Sequence, residues 1–92
     1  MAEDKRRTEA IDSFYEAYRE LQQYDSVRMH SRTGLWEDTL IEITRYYGER
    51  KGERILRVTQ EDEAAAYEQA ADQVKKMLEQ IKQDRKVGQR GA

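Results

Sequence analysis

Side chains able to carry chemistry are sparse in this chain. It holds one histidine, His30, and no cysteine among 92 residues. Thiolate nucleophiles, disulfides and thiolate zinc sites are therefore excluded. His30 has no second ligand at a metal spacing such as His-x-x-x-His. Ser26 and Ser31 lie close to it, but proximity along a serine-containing stretch does not specify a dyad, and His30 reads as a surface imidazole. Gly48 and Gly52 lack the Gly-Lys-Ser/Thr ending of a phosphate loop, and their four-residue spacing has meaning only inside an apolar membrane helix. The expectation is a protein that is not an enzyme, with no catalytic, cofactor-binding or metal residues.

Carboxylates are numerous, and carboxylates in pairs can hold a divalent cation. All-helical nucleotide pyrophosphohydrolases hold magnesium with paired Glu-x-x-Glu and Glu-x-x-Asp motifs. Here Glu9-x-x-Asp12 matches one half, and no Glu-x-x-Glu occurs anywhere, so that resemblance fails. The run Glu61-Asp62-Glu63 is explained by the positive end of a helix dipole and needs no metal.

The chemistry that does stand out is that of binding. The net charge is −2, which gives no whole-protein attraction to nucleic acid or anionic membranes. The average hides an asymmetry: residues 26–59 carry seven basic and five acidic side chains, whereas residues 1–25 carry four and seven. Six of those seven central basic residues are arginine, suited to bidentate contacts with carboxylate or phosphate. Aromatic residues lie among them, and arginine with aromatics is the composition of interface hot spots and of single-stranded nucleic-acid platforms. The candidate interaction surface is Arg28, Arg32, Trp36, Arg45, Tyr46, Tyr47, Arg54 and Arg57. The first functional expectation is a non-catalytic protein–protein interaction module, homo-oligomeric, acting as an adaptor or stoichiometric inhibitor of a larger partner. The alternative is a small nucleic-acid-binding domain using segment 28–57.

These residues must be positioned by a few elements. Ile11, Phe14, Tyr15, Tyr18 and Leu21 recur at helical steps and predict a helix from about Lys5 to Tyr24. Glu9, Asp12, Glu16 and Glu20 form an acidic ridge on its other side, a docking ridge for a basic partner or simply a solvated face. At the other end of the chain Thr59 is the predicted cap of a helix over residues 60–86, with Asp62 at capping-box spacing and Gly88 as its stop. Tyr67, Ala70, Ala71, Val74, Met77, Leu78 and Ile81 are its apolar stripe. Such a helix is about 40 Å long, so its end is expected to project or to pair with another copy.

Between the helices the pattern alternates. Val27, Met29 and Ser31 oppose Arg28, His30 and Arg32; Ile41 and Ile43 oppose Glu42 and Thr44; Leu56 and Val58 oppose Ile55 and Arg57. Residues 48–53 suit a hairpin loop. The predicted fold is α+β: an N-terminal helix, a short antiparallel three-stranded meander and a long C-terminal helix. In it Arg28, His30, Arg32, Thr44, Tyr46 and Arg57 share one outward face. An all-α three-helix arrangement is the alternative, because Trp36, Leu40, Ile43 and Tyr47 also have helical spacing.

Length and composition bound the rest. Residues 1–92 make a single small domain, with 88–92 expected as a disordered tail. Of the residues 39% are charged and 37% apolar, so the core is small and a homodimer is a natural way to bury more. No apolar run reaches the roughly 20 residues of a membrane span, and no signal-peptide core is present, which predicts a cytoplasmic protein without membrane partners.

Overall fold

The computed structural model describes residues 2–34, 38–48 and 51–90. Its order is α1 (Ala2–Tyr24), β1 (Val27–Arg32), β2 (Thr39–Tyr46), β3 (Gly52–Gln60) and α2 (Glu63–Arg90). This is the α+β arrangement predicted from the alternation, with one antiparallel sheet in the order β1-β2-β3. The three-helix alternative fails because residues 39–46 pair with strands on both sides. Leu40 and Ile43, which helical spacing would place together, lie on opposite faces of the sheet.

Strand alternation sorts the sheet into two faces. Val27, Ile41, Ile43, Leu56 and Val58 are buried on the inner face. Both helices cover that face, Phe14 and Leu21 reaching in from α1 and Ala70, Val74 and Leu78 from α2. Phe14 is the centre of the aromatic packing, its ring centroid 5.5 Å from Tyr67, 5.5 Å from Tyr15 and 6.0 Å from Tyr18. Truncation of such a fully buried ring costs about 3–5 kcal/mol, a large part of the stability of so small a domain. The buried stripe of α1 is Ala10, Phe14, Ala17 and Leu21, whereas Ile11, Tyr15 and Tyr18, read from the sequence as part of the same apolar face, are half-buried at its flank. The alanines let the two helix backbones approach closely, and that rotates the bulkier residues to the edge.

Three strands between two helices return the chain so that α1 and α2 run parallel. Arg6 meets Glu68, Ser13 meets Lys75 and Glu20 meets Lys82, each pair separated by 62 residues. The rungs repeat every seven residues, the period at which a helix presents the same flank to a close neighbour. By that offset Tyr24 is level with residue 86, so α1 accompanies α2 almost to its end.

Both ends of α2 differ from the sequence-based expectation. Thr59 does not cap it, because β3 runs on to Gln60 and Thr59 pairs with Leu40. Asp62 is the cap: its Oδ2 accepts from the Ala65 N–H at 3.2 Å, and its carbonyl accepts the first helical bond from Ala66 at 3.0 Å. Gly88 does not stop the helix, which continues to Arg90 with no glycine in the left-handed region among the described residues.

One irregularity has large consequences for the surface. Ile43 pairs with Leu56 but Thr44 pairs with Arg54, so Ile55 has no cross-strand partner. This β-bulge reverses the inside–outside phase of β3 on its N-terminal side.

Candidate interaction face

The face of the sheet away from the helices carries Arg28, His30 and Arg32 from β1, Leu40, Glu42, Thr44 and Tyr46 from β2, and Arg54, Arg57 and Thr59 from β3. Among the described strand residues, four arginines stand against one glutamate on this face. The basic excess seen along the central segment is thus gathered on one side of a molecule whose net charge is −2.

Arg54 reaches this face only through the bulge. Simple alternation from Leu56 would turn it inward among apolar residues. Instead Arg54 Nη1 donates to Glu42 Oε2 at 2.8 Å. In the ladder Glu42 lies between His30 of β1 and Arg57 of β3. Its carboxyl is held below the ordinary value, chiefly by the bond from Arg54 and against the opposing effect of burial, with Arg57 and His30 adding to the lowering. Glu42 is therefore locked among its basic neighbours.

At the other end of the face the Arg28 guanidinium lies over the Tyr46 ring, 5.6 Å from its centroid, within reach of a cation–π interaction. On the opposite side Tyr46 pairs with Gly52. A Cβ at Gly52 would lie 2.8 Å from Thr44 Cγ2 and 3.2 Å from Tyr46 Cε1. Thr44 Cγ2 first, and the edge of the Tyr46 ring beside it, occupy the room a Cβ would take, a role that the reading of Gly52 as a hairpin glycine missed. The only signal for it is the strand register, which the sequence alone does not supply.

Of the candidate surface, Arg28, Arg32, Tyr46, Arg54 and Arg57 are brought together. Arg45 and Tyr47 are not. Arg45 pairs with Val27, in phase with the inner face, and its Nε donates to the Asp25 carboxylate at the end of α1. Its guanidinium is held above its ordinary value, mainly by the Tyr47 hydroxyl, with Asp25 adding to it against burial. Tyr47 OH in turn donates to Glu53. These residues tie the end of α1 to the β2–β3 connection. Trp36 lies outside the described residues.

The remaining sequence features resolve differently. His30 points outward and Ser31 sits in the opposite, half-buried phase. Ser26 is four residues away along an extended chain, roughly 13 Å at the rise of a strand, so neither serine meets the imidazole. No three His, Asp or Glu side chains among the described residues are placed to share a metal ion. The acidic ridge of α1 is broken, since Glu20 accepts from Lys82 at 2.9 Å while Glu9, Asp12 and Glu16 stay outside the core. A cavity of about 380 Å³ opens at the start of the helices, lined by Asp4, Arg6, Arg7, Asp62, Glu63 and Ala64. Its charges are paired with one another: Arg6 with Asp62 at 3.0 Å, and Arg7 with Asp4 at 3.7 Å and Glu63 at 3.8 Å. No helix among the described residues is long and apolar enough to cross a membrane.

No protein-family model matches this chain, and neither a curated protein nor a solved structure shows similarity to it. What the face can do follows from its own geometry.

Proposed function

We propose that this protein is a non-catalytic interaction module of the cytoplasm that docks an acidic surface of a larger protein on the outer face of its sheet, as an adaptor or stoichiometric inhibitor. The observation that carries this is the gathering of Arg28, Arg32, Arg54 and Arg57 on one face of the sheet, opposite the two helices, with Glu42 already engaged by Arg54. A strand face is shallow and holds its side chains at fixed spacing, which suits a broad charged contact rather than enclosure of a small substrate. Arginine forks on such a lattice match carboxylates bidentately.

A second reading, a nucleic-acid-binding face, is favoured by one observation. Arg28 over Tyr46 joins a ring on which a base could stack to a cation that could meet a phosphate.

Fluorescence anisotropy separates the two. Labelled poly-glutamate and short single- and double-stranded oligonucleotides are titrated at about 50 and 200 mM salt, the range over which phosphate contacts show themselves. Binding of poly-glutamate, lost in the triple variant Arg28→Gln, Arg32→Gln, Arg57→Gln, supports the protein-docking reading. Binding of oligonucleotides that collapses at the higher salt, with a flatter slope in the variant, supports the second. If neither probe binds at the lower salt, both readings fall.

A further inference from the structure

The edge of β1, which pairs with no further strand among the described residues, defines how a partner would arrive. Backbone groups along an antiparallel strand point alternately toward and away from the neighbouring strand. The phase here is set by the Tyr46 N–H, which donates to the Ser26 carbonyl at 2.9 Å. Arg28, His30 and Arg32 therefore turn their N–H and C=O groups to β2, whereas Val27, Met29 and Ser31 turn theirs to the edge. The Val27 carbonyl is met by the Tyr18 hydroxyl at 3.4 Å. The outward groups of Met29 and Ser31 meet no partner among the described residues.

The two edges of the sheet are protected unequally. β3 carries the bulge at Ile55 and packs against α2, and a bulge is a standard defence against edge pairing. β1 runs regularly over Val27–Arg32 with no bulge, proline or lysine. What it carries instead is Arg28 and Arg32 with His30 between them, all on the outer face.

That charge pattern selects the occupant. In an antiparallel pairing of two copies along this edge, the register that bonds Met29 of each copy to Ser31 of the other sets Arg28 opposite Arg32 twice, and directly opposed like charges destabilise a sheet. A strand with carboxylates at alternate positions meets the opposite situation. Its acidic side chains would lie beside Arg28, His30 and Arg32, and its intervening apolar side chains would cover the half-buried Met29.

We propose that the edge of β1 takes an extended acidic–apolar segment of a partner protein as a fourth strand, backbone hydrogen bonds giving affinity and the arginine row giving selectivity. This deepens, and rests on, the reading of the outer face as a docking surface for an acidic protein.

The test uses a labelled peptide alternating glutamate and valine, with a lysine–valine peptide as its control. Two further forms carry N-methyl groups, one on the valine nitrogens and one on the glutamate nitrogens. Valines set opposite Met29 and Ser31 turn their N–H groups to β1, and glutamates turn theirs to solvent. The expected result is binding of the glutamate–valine peptide, no binding of the lysine form, at least tenfold weakening by valine methylation and little change on glutamate methylation. Ser31→Pro, which removes an outward N–H without touching the β2 ladder, should weaken binding by a similar factor while leaving the circular dichroism and melting of the protein unchanged. The methylated peptides leave the protein untouched, so they decide the matter even if that variant folds poorly. Equal binding of both methylated forms overturns strand addition and leaves docking through side chains on the face standing. Failure of the unmodified peptide to bind also overturns it, and the poly-glutamate titration then judges the wider reading separately.

Discussion

Lys82 of α2 donates to Glu20 of α1 at 2.9 Å, across 62 residues of chain. The pair is the last of three rungs at that separation, after Arg6–Glu68 at 2.7 Å and Ser13–Lys75 at 3.2 Å. The rungs line one flank of the parallel helix pair while Phe14, Ala17, Val74 and Leu78 fill its buried side. Glu20, on the face of α1 that its charge pattern marks as solvent-directed, thus belongs to the helix–helix contact. The same carboxylate holds the Lys82 ammonium above its ordinary value.

The rung predicts a charge-exchange result. Glu20→Lys or Lys82→Glu alone places like charges together and should lower the melting temperature, whereas the double exchange should recover most of the loss. The rung is half-exposed, so each effect should shrink in high salt. Thermal melts at about 0.05 and 1 M salt check both points. Additive single effects would show that the two side chains do not interact.

The cap of α2 makes a comparison of two neighbours informative. Asp62→Ala removes the acceptor for the Ala65 N–H and one of the two carboxylates paired with Arg6, and should cost about 1 kcal/mol in urea unfolding. Thr59→Ala should cost clearly less, because Thr59 is an exposed strand residue on the outer face. The reverse order would return the cap to Thr59.

Gly52→Ala should disturb the face without abolishing the fold. The added Cβ would lie 2.8 Å from Thr44 Cγ2, so Thr44 and the Tyr46 ring must give way and the Arg28–Tyr46 contact is lost. Relief of glycine's backbone entropy offsets part of the cost, leaving a net loss of about 1 kcal/mol. Urea unfolding gives the stability, and nuclear Overhauser contacts between Arg28 and Tyr46 report the ring.

Glu42 predicts a pH response with a defined sign. Its folded-state value lies below the ordinary 4.5, so ionised Glu42 favours the folded state above that pH. The contribution is lost as pH falls through the depressed value. Arg54→Gln removes the largest cause and should raise the Glu42 titration midpoint toward the ordinary one. Carboxyl NMR titration of the two proteins checks this, and an unmoved midpoint would assign the depression to Arg57 and His30 instead.

The local elements are legible in the sequence because each rests on short-range periodicity. Alternation at Val27–Arg32 and Ile41–Thr44, and the stripe from Tyr67 to Ile81, specify strands and helix whatever packs against them. They also place Arg28, Arg32, Tyr46 and Arg57 on one outward face, since a strand's phase follows from counting by two. Nothing in that counting discloses a bulge. The extra residue at Ile55 is created by pairing with β2, and it alone decides that Arg54 joins the face rather than the core side. Arg45 and Tyr47 enter the candidate surface by composition, and their contacts with Asp25 and Glu53 exist only after α1 and the sheet have docked. The helix cap falls on Asp62 rather than Thr59 for the same reason, because the length of β3 is set by its partner strand. Periodicity along the chain determined what each segment is. Contact between distant segments decided which side chains stand together, and that is what makes a surface.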